Sequence, residues 1–302
     1  MLLGDKKMNP RVFIIILNWN GKKDTLECLG SLKKIDYTNY RIVLIDNGSK
    51  DDSVSLIKKN FPDIKIIQNK KNLGWVGGNN IGIKYALEKN AGYILLLNND
   101  IVVDRKFISE MIKIAKNDKK IGIVSSKSYF YSNPNVLQYT TLRFNFKKGQ
   151  SILEGYRQED KGQFDNPQEM DFCGGACILV KREIFNKIGL LDKTYSLYFG
   201  DTDLGIRTRR AGYKIVFCPK AKIWHKISMS IGGNSSPEKE YLMNRNKIIF
   251  MKKYSSGKQF AVFLLYLFFE SMLTSLIFVK KGKFDLLKSK LRGFFEGIKW
   301  KK

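Results

Sequence analysis

The chain has 302 residues, 43% of them hydrophobic, which is enough to bury a real core and excludes global disorder. Lys and Arg total 54 against 28 Asp and Glu, a formal net charge of +26 that favours phosphate-bearing partners such as nucleotide-activated substrates or an anionic membrane. The basic residues are spread along the chain with no helix-turn-helix or RNA-binding strand signature among them, so no nucleic-acid partner is expected.

Residues 1–10 read as a leader without the apolar stretch of a secretory signal, which places the catalytic part in the cytoplasm. Residues 11–17 are continuously apolar and predict a first buried strand. A loop with Asn18 and Asn20 follows, then Leu26, Leu29 and Leu32 at helical spacing. A strand at 41–45 runs into Asp46, and Asp51 and Asp52 cap a helix at 53–60. A third strand spans 64–68, a Gly/Asn-rich loop 69–79 and a helix 80–90. The strand at 93–97 ends in Asn98, Asn99 and Asp100. A helix at 104–118 and a strand at 121–125 complete the alternation, which implies an α/β fold with a mostly parallel central sheet flanked by helices. Residues 126–168 read as an irregular insertion for acceptor contacts. Beyond it come a strand at 176–180, helices at 181–188 and 201–211, a strand at 214–218 and a charged helix at 237–254. No repeat period is present.

The last 45 residues or so, about 255–302, change character. Residues 260–279 are almost wholly apolar and long enough to cross a bilayer, yet Glu270, Ser271, Thr274 and Ser275 form one polar stripe. Residues 280–302 carry nine basic and two acidic side chains, and a single span would put them across the membrane from a cytoplasmic domain, against the positive-inside tendency. Helices lying in the interface of an anionic membrane fit better than a span or a core helix. Cys28, Cys173, Cys177 and Cys218 form no CxxC pair and read as reduced packing residues rather than zinc ligands.

The chemistry concentrates at strand tips, where open α/β sheets hold their ligands. Asp100 suits a divalent cation, since Mn2+ or Mg2+ takes one or two carboxylates plus substrate phosphates; helix capping is the alternative. His225, the sole histidine, can supply a second ligand or be structural. Asp46 can accept the imide N–H of uracil or thymine, the paired donors of guanine, or merely shape a turn. Asn98 and Asn99 can bond sugar or phosphate oxygens. Asn72, Gly74, Gly78 and Asn80 belong to a glycine-rich stretch whose bare backbone can receive a diphosphate, though not with the dinucleotide spacing. Gly174 and Gly175 offer a similar approach. Asp201 and Asp203 open a helix, either as caps or, facing a sugar, as proton acceptors.

Taken together, LNWNG (17–21), IDNGSKDDS (45–53), NLGWVGGNNIG (72–82), LLLNND (95–100), CGGACILVKREIFNKIGLLD (173–192), FGDTDLGIRTRRAGYK (199–214) and WH (224–225) resemble glycosyltransferase family 2, the inverting GT-A enzymes, and within it the rhamnosyltransferase-like branch of surface polysaccharide synthesis. The resemblance covers about residues 11–254, which it marks as the catalytic domain. It implies a base contact for Asp46, a nucleotide pocket lined by Asn18 and Asn20, and a metal-motif position at 98–100 in which only Asp100 is acidic. It also implies a metal-completing role for His225 and a base role for Asp201. Gly200 stands where the family pair has Glu, and Asp203 is the candidate to support the base instead. The expected activity is sugar transfer from a nucleotide-diphospho-sugar, with rhamnose suggested by the branch, to a lipid-linked saccharide at the cytoplasmic face of the membrane, aided by Mn2+ or Mg2+. A nucleotidyltransferase and an inactive membrane-bound binding module are the alternatives.

Overall fold

The computed structural model describes residues 9–226 and 236–301, so the leader lies outside it up to residue 8. In chain order the elements are β1 (Val12–Asn18), α1 (Lys22–Leu32), β2 (Tyr40–Asp46), α2 (Ser53–Asn60), β3 (Lys65–Gln68), α3 (Gly74–Glu88) and β4 (Tyr93–Asn98). Then come β5 (Ile101–Val103), α4 (Phe107–Asn117), β6 (Ile121–Phe130), β7 (Asn133–Tyr139), β8 (Leu142–Asn145), β9 (Gln150–Leu153) and β10 (Gln168–Glu169). The chain closes with β11 (Cys177–Lys181), α5 (Arg182–Ile188), α6 (Gly200–Arg210), β12 (Lys214–His225), α7 (Pro237–Tyr254), α8 (Gly257–Lys280) and α9 (Phe284–Lys299).

One sheet runs β10-β12-β6-β11-β4-β1-β2-β3, with β5 on β12 and β7 on β6. The β4-β1-β2-β3 half is parallel, as its helical crossovers require. β11 enters antiparallel to both neighbours, so the sheet is mixed beyond β4. Side chains of β1 alternate between two cores. Phe13 and Ile15 face α3, α6 and α7, whereas Val12, Ile14 and Ile16 face α1 and α4, which is why the whole strand reads as apolar. The four cysteines are buried packing residues.

Two local expectations are corrected. α3 begins at Gly74, not Asn80, because its glycines serve packing: a Cβ on Gly78 would stand 2.3 Å from Leu17 Cδ1, and one on Gly82 2.3 Å from Ile15 Cγ2. Residues 126–168 are not irregular but carry the end of β6, strands β7 and β10, and the β8–β9 hairpin. The polar residues that disguised β6 are themselves buried but partnered: Lys127 Nζ donates to Asp160 (2.9 Å) and Asp165 (2.8 Å), and Ser128 Oγ donates to Gln138 (2.7 Å).

The C-terminal helices are built onto the α/β domain. α9 crosses α7 at Gly293 and Gly297, where a Cβ would meet Tyr241 O at 2.4 Å and Arg245 O at 3.0 Å. α8 buries Phe263 and Leu267, and its Tyr266 hydroxyl accepts from Gln150 Nε2 of β9 (2.9 Å). The polar stripe of α8 turns inward: Glu270 meets Lys290 of α9 at 3.3 Å, and nearby burial pushes the Lys247 amine below its usual range against the pull of Glu270. What α8 leaves outside is apolar, with Leu265, Phe268 and Leu276 exposed by 64, 63 and 61%. Among the described residues it is the one helix long and apolar enough to cross a membrane. Gly293→Val should destabilise the fold by about 1–3 kcal/mol through overpacking at this crossing, read as a lower urea midpoint at unchanged slope.

Candidate active site

The site is assembled at the carboxyl ends of β1, β2 and β4. These strands are parallel and in register, with Asn18 beside Asp46 and Leu17 beside Asn98. Asn18 is a buried hub. Its Nδ2 donates to Asp46 Oδ1 (2.9 Å), Ser49 Oγ (3.1 Å) and Ser53 Oγ (3.0 Å), while its Oδ1 accepts from Thr25 Oγ1 (2.8 Å). Asp46 also accepts from Ser49 N (3.1 Å), and Asn20, with φ of 50°, accepts from Lys50 N (2.8 Å). This is a preformed concave turn at the end of β2. Asp51 bonds Ser53 at the start of α2, as expected of a cap, whereas Asp52 pairs with Lys22 on the surface.

The three residues ending β4 each hold a different part of the site. Asn98 Oδ1 accepts from Trp75 Nε1 (3.1 Å). Asn99 Nδ2 donates to Thr25 Oγ1 (2.9 Å), which continues into Asn18 and Asp46. Asp100 is buried, and its Oδ1 stands 3.3 Å from His225 Nε2 at the end of β12. β5 brings the two together, since Ile101 pairs with His225. The opposite ring nitrogen, Nδ1, lies 2.9 Å from Gln138 Oε1. The following residue, Lys226, donates its N–H to Asp100 O (3.0 Å) and its amine to Asp24 (2.8 Å) and Glu27 (2.5 Å), tying the strand end to α1.

Asp201 enters from the other side. Its Oδ2 accepts from Gly175 N (2.7 Å) and its Oδ1 from Thr202 N (2.8 Å). Burial pushes this carboxyl above the usual range, only partly countered by those two N–H groups. The Trp75 ring fills the gap between Asn98 and Asp201: a Cβ on Gly175 would stand 3.2 Å from Trp75 Cζ2 and 3.0 Å from Asp201 Oδ2. Gly200 has no room for a side chain, because a Cβ there would meet Val76 Cγ2 at 2.6 Å. The approach to Asp201 is strained, with Tyr198 and Phe199 both left-handed at φ of 59° and 64°. α7 holds this segment: buried Asn246 donates to Leu197 O (2.7 Å), and Arg245 donates to Thr194 O (3.1 Å).

Several expected site residues prove to be scaffold. Asp203 does not support Asp201. Its carboxylate faces α7, where it takes Arg207 Nε (2.7 Å), Lys253 Nζ (2.6 Å) and the Tyr254 hydroxyl (2.5 Å). Two residues along a helix project about 200° apart, which separates the two acids. In the glycine-rich stretch at α3, two of the N–H groups have protein acceptors. Gly74 N donates to Asn72 Oδ1 (2.8 Å) and Val76 N to Ser196 O (3.1 Å), so protein acceptors already occupy these groups. Gly74 is required by its φ of 71° and by Ser196 O, 2.6 Å from where a Cβ would be. Gly78 packs on β1. Asn80 is buried and exchanges two hydrogen bonds with the Leu191 backbone (2.9 and 3.0 Å). Gly175 serves Asp201 directly, and Gly174 lies against the Tyr139 ring.

The sequence reading missed Thr25, Trp75, Gln138 and Asn246, whose importance lies in contacts with Asn99, Asn98, His225 and Leu197, 23 to 87 positions away; no local signal marks them. Two surface cavities, of about 440 Å3 beside Arg207 and Arg210 and about 300 Å3 beside Lys84 and Lys193, contain none of Asp46, Asp100, Asp201 and His225. No cluster of three or more His, Cys, Asp or Glu poised for a metal occurs among the described residues.

The family model for glycosyl transferase family 2 matches residues 13–189. The chain is similar to the dTDP-rhamnosyl transferase RfbF of Shigella flexneri, 24% identical over 311 residues and 97% of both chains. It is similar to the N-acetylglucosaminyl-diphospho-decaprenol L-rhamnosyltransferase of Mycobacterium tuberculosis, 25% identical over 226 residues, covering 68% of this chain and 72% of that one. It also matches the uncharacterized protein y4gI of Sinorhizobium fredii, 26% identical over 264 residues and 83% of this chain, but spans only 28% of that protein. Among solved structures, the mannosyltransferase PcManGT of Pyrobaculum calidifontis with GDP-Man and Mn2+ aligns with a TM-score of 0.59 at 13% identity, over 98% of this chain and 77% of that one. GalNAc-T7 with UDP, GalNAc and Mn2+ aligns with a TM-score of 0.63 at 17% identity, over 80% of this chain and 48% of that one. These structures share the fold. Asn246→Leu, which removes a buried amide bonded to the part-buried Leu197 and Tyr198 carbonyl groups ahead of Asp201, should cost about 1–3 kcal/mol in urea unfolding.

Proposed function

This chain belongs to glycosyl transferase family 2, and we propose that it is an inverting glycosyltransferase that moves a sugar from a nucleotide-diphospho-sugar to a hydroxyl of a lipid-linked saccharide. The observation that carries this reading is the tip of β4, from which Asn98, Asn99 and Asp100 reach the base side, the nucleotide side and His225 respectively. Asn18, Asn20 and Asp46 line the nucleotide end. Asp100 Oδ1 and His225 Nε2 are the protein donors that would hold Mn2+ or Mg2+, a pair that suits an ion sharing its shell with diphosphate oxygens. Bound there, the ion would offset the charge of the leaving nucleoside diphosphate.

Asp201 takes the proton from the acceptor hydroxyl, and that oxygen attacks the anomeric carbon from the face opposite the diphosphate, so the configuration inverts. Burial makes this carboxylate a stronger base than an ordinary Asp, and Gly175 N and Thr202 N fix its orientation. The names of the Shigella and Mycobacterium relatives support rhamnose as the sugar and a lipid diphosphate as the acceptor carrier. A thermal-shift screen of nucleotide sugars with Mn2+ identifies the donor, because a ligand that binds only the native state raises stability. With that donor, Asp201→Asn should lower turnover about 10²–10⁴-fold while leaving the donor's thermal shift in place. In the parent enzyme, transfer needs the ionised base, so activity is lost as pH falls, with the acid limb of kcat/KM lying above the ~3.9 of an unperturbed Asp.

The exposed face of α8, with the basic residues Lys280, Lys281, Lys283, Lys288 and Arg292 beyond it, is suited to lie in the interface of an anionic membrane on the cytoplasmic side. The opposite face of α8 is packed on the domain and on α9, which favours a helix lying flat over one that spans. Replacing Leu265, Phe268 and Leu276 together by serine removes outward-facing side chains and spares the buried Phe263 and Leu267. This variant should lose co-flotation with anionic vesicles, and retention of flotation would remove this face from the membrane.

A further inference from the structure

His225 meets two groups that cannot both be satisfied by one neutral ring without choosing where its proton sits. Nδ1 lies 2.9 Å from Gln138 Oε1, and Nε2 lies 3.3 Å from Asp100 Oδ1. The Gln138 oxygen also accepts from Ser128 Oγ at 2.7 Å, and Ser128 is fully buried between β6 and β7. An amide oxygen has two lone pairs and no proton, so with Ser128 on one of them it turns the other to the ring. The ring must answer with Nδ1–H. In the neutral ring Nε2 then carries a lone pair aimed at an Asp100 oxygen, and two acceptors 3.3 Å apart repel unless a proton or a metal cation stands between them.

We propose that Gln138 is a positioning residue that fixes the His225 proton on Nδ1 and thereby leaves Nε2 free to ligate the cation that Asp100 shares. Ser128 is the group that orients the Gln138 amide. This rests on the cation reading above and extends it to β7. The strand that borders β6 is thus tied to the metal position by one hydrogen bond, just as it is tied to the sheet beneath. A carbonyl acceptor behind a ligating imidazole raises the basicity of the ligand and holds its plane.

The chain has a single histidine, so ¹⁵N-histidine labelling gives one ring's signals with nothing to overlap them. Long-range ¹H–¹⁵N correlation of the full-length protein, at a pH where the ring is neutral, reads the tautomer directly and needs neither metal nor donor. The expected result is the Nδ1–H form in the parent protein. Gln138→Leu should shift the ring toward Nε2–H, which Asp100 then accepts. Binding of Mn2+ alone, followed by the loss of its free-ion EPR signal, should weaken about ten-fold or more in that variant. Gln138→Glu keeps an acceptor and should retain both the tautomer and the Mn2+ affinity. Ser128→Ala, a smaller change that carries the test if Gln138→Leu fails to fold, should mix the two tautomers. An Nε2–H ring in the parent protein overturns the proposal, as does a folded Gln138→Leu with tautomer and Mn2+ binding unchanged. An Nδ1–H ring that Mn2+ leaves unmoved would uphold the role of Gln138 in positioning and overturn the cation reading on which its purpose rests.

Discussion

Everything in the site is referred to the end of β4. Three consecutive side chains leave that strand in different directions and each is held by a different element: Asn98 by Trp75 of α3, Asn99 by Thr25 of α1, Asp100 against His225 of β12. A strand tip can do this because the side chains of successive residues point to opposite sides, and because the strand beneath is buried on both faces and cannot shift its register without exposing a core. Parallel pairing of β1 with β2 and β4 then brings Asn18 and Asp46 to the same level, so the turn at Asp46 and the tip that carries Asp100 keep a fixed separation.

Asp201 depends on a second constraint. The segment before it adopts left-handed conformations at two bulky residues, a state worth roughly 1–3 kcal/mol of strain for each residue. It persists because Asn246 and Arg245 of α7 bond its carbonyl groups. α7 also carries α9 at the Gly293 and Gly297 crossing, and α9 supplies Lys290 to Glu270 of α8. The helix that holds the approach to Asp201 and the helices that present an apolar outer face are therefore one packed unit.

The polar residues of α8 illustrate how composition can mislead. Glu270 in an apolar helix argues against deep burial in lipid, yet the same residue turned toward Lys290 leaves the outer face free of charge. Likewise the glycines of α3 resemble an anion cradle and instead let the helix press on β1 and on Ser196. A helix or a strand specifies which residues share a face but not what that face meets.

The sequence alone determined the strand–helix alternation, the acids at the ends of β2 and β4, the pairing of Asp100 with His225 as a candidate cation site, and Asp201 at a helix start. These depend on local periodicity and on ordered motifs, and both are written in consecutive residues. Tertiary structure decided the rest. It separated Asp203 from Asp201 across α6, set the Gly175 N–H on the Asp201 carboxylate, made strands of the polar stretch after residue 125, and put Gln138 behind the histidine. The physical reason is common to all four: a hydrogen-bond partner is chosen by proximity in the folded chain, and residues dozens of positions apart, Gln138 and His225 among them, have no means of announcing that proximity before the sheet closes.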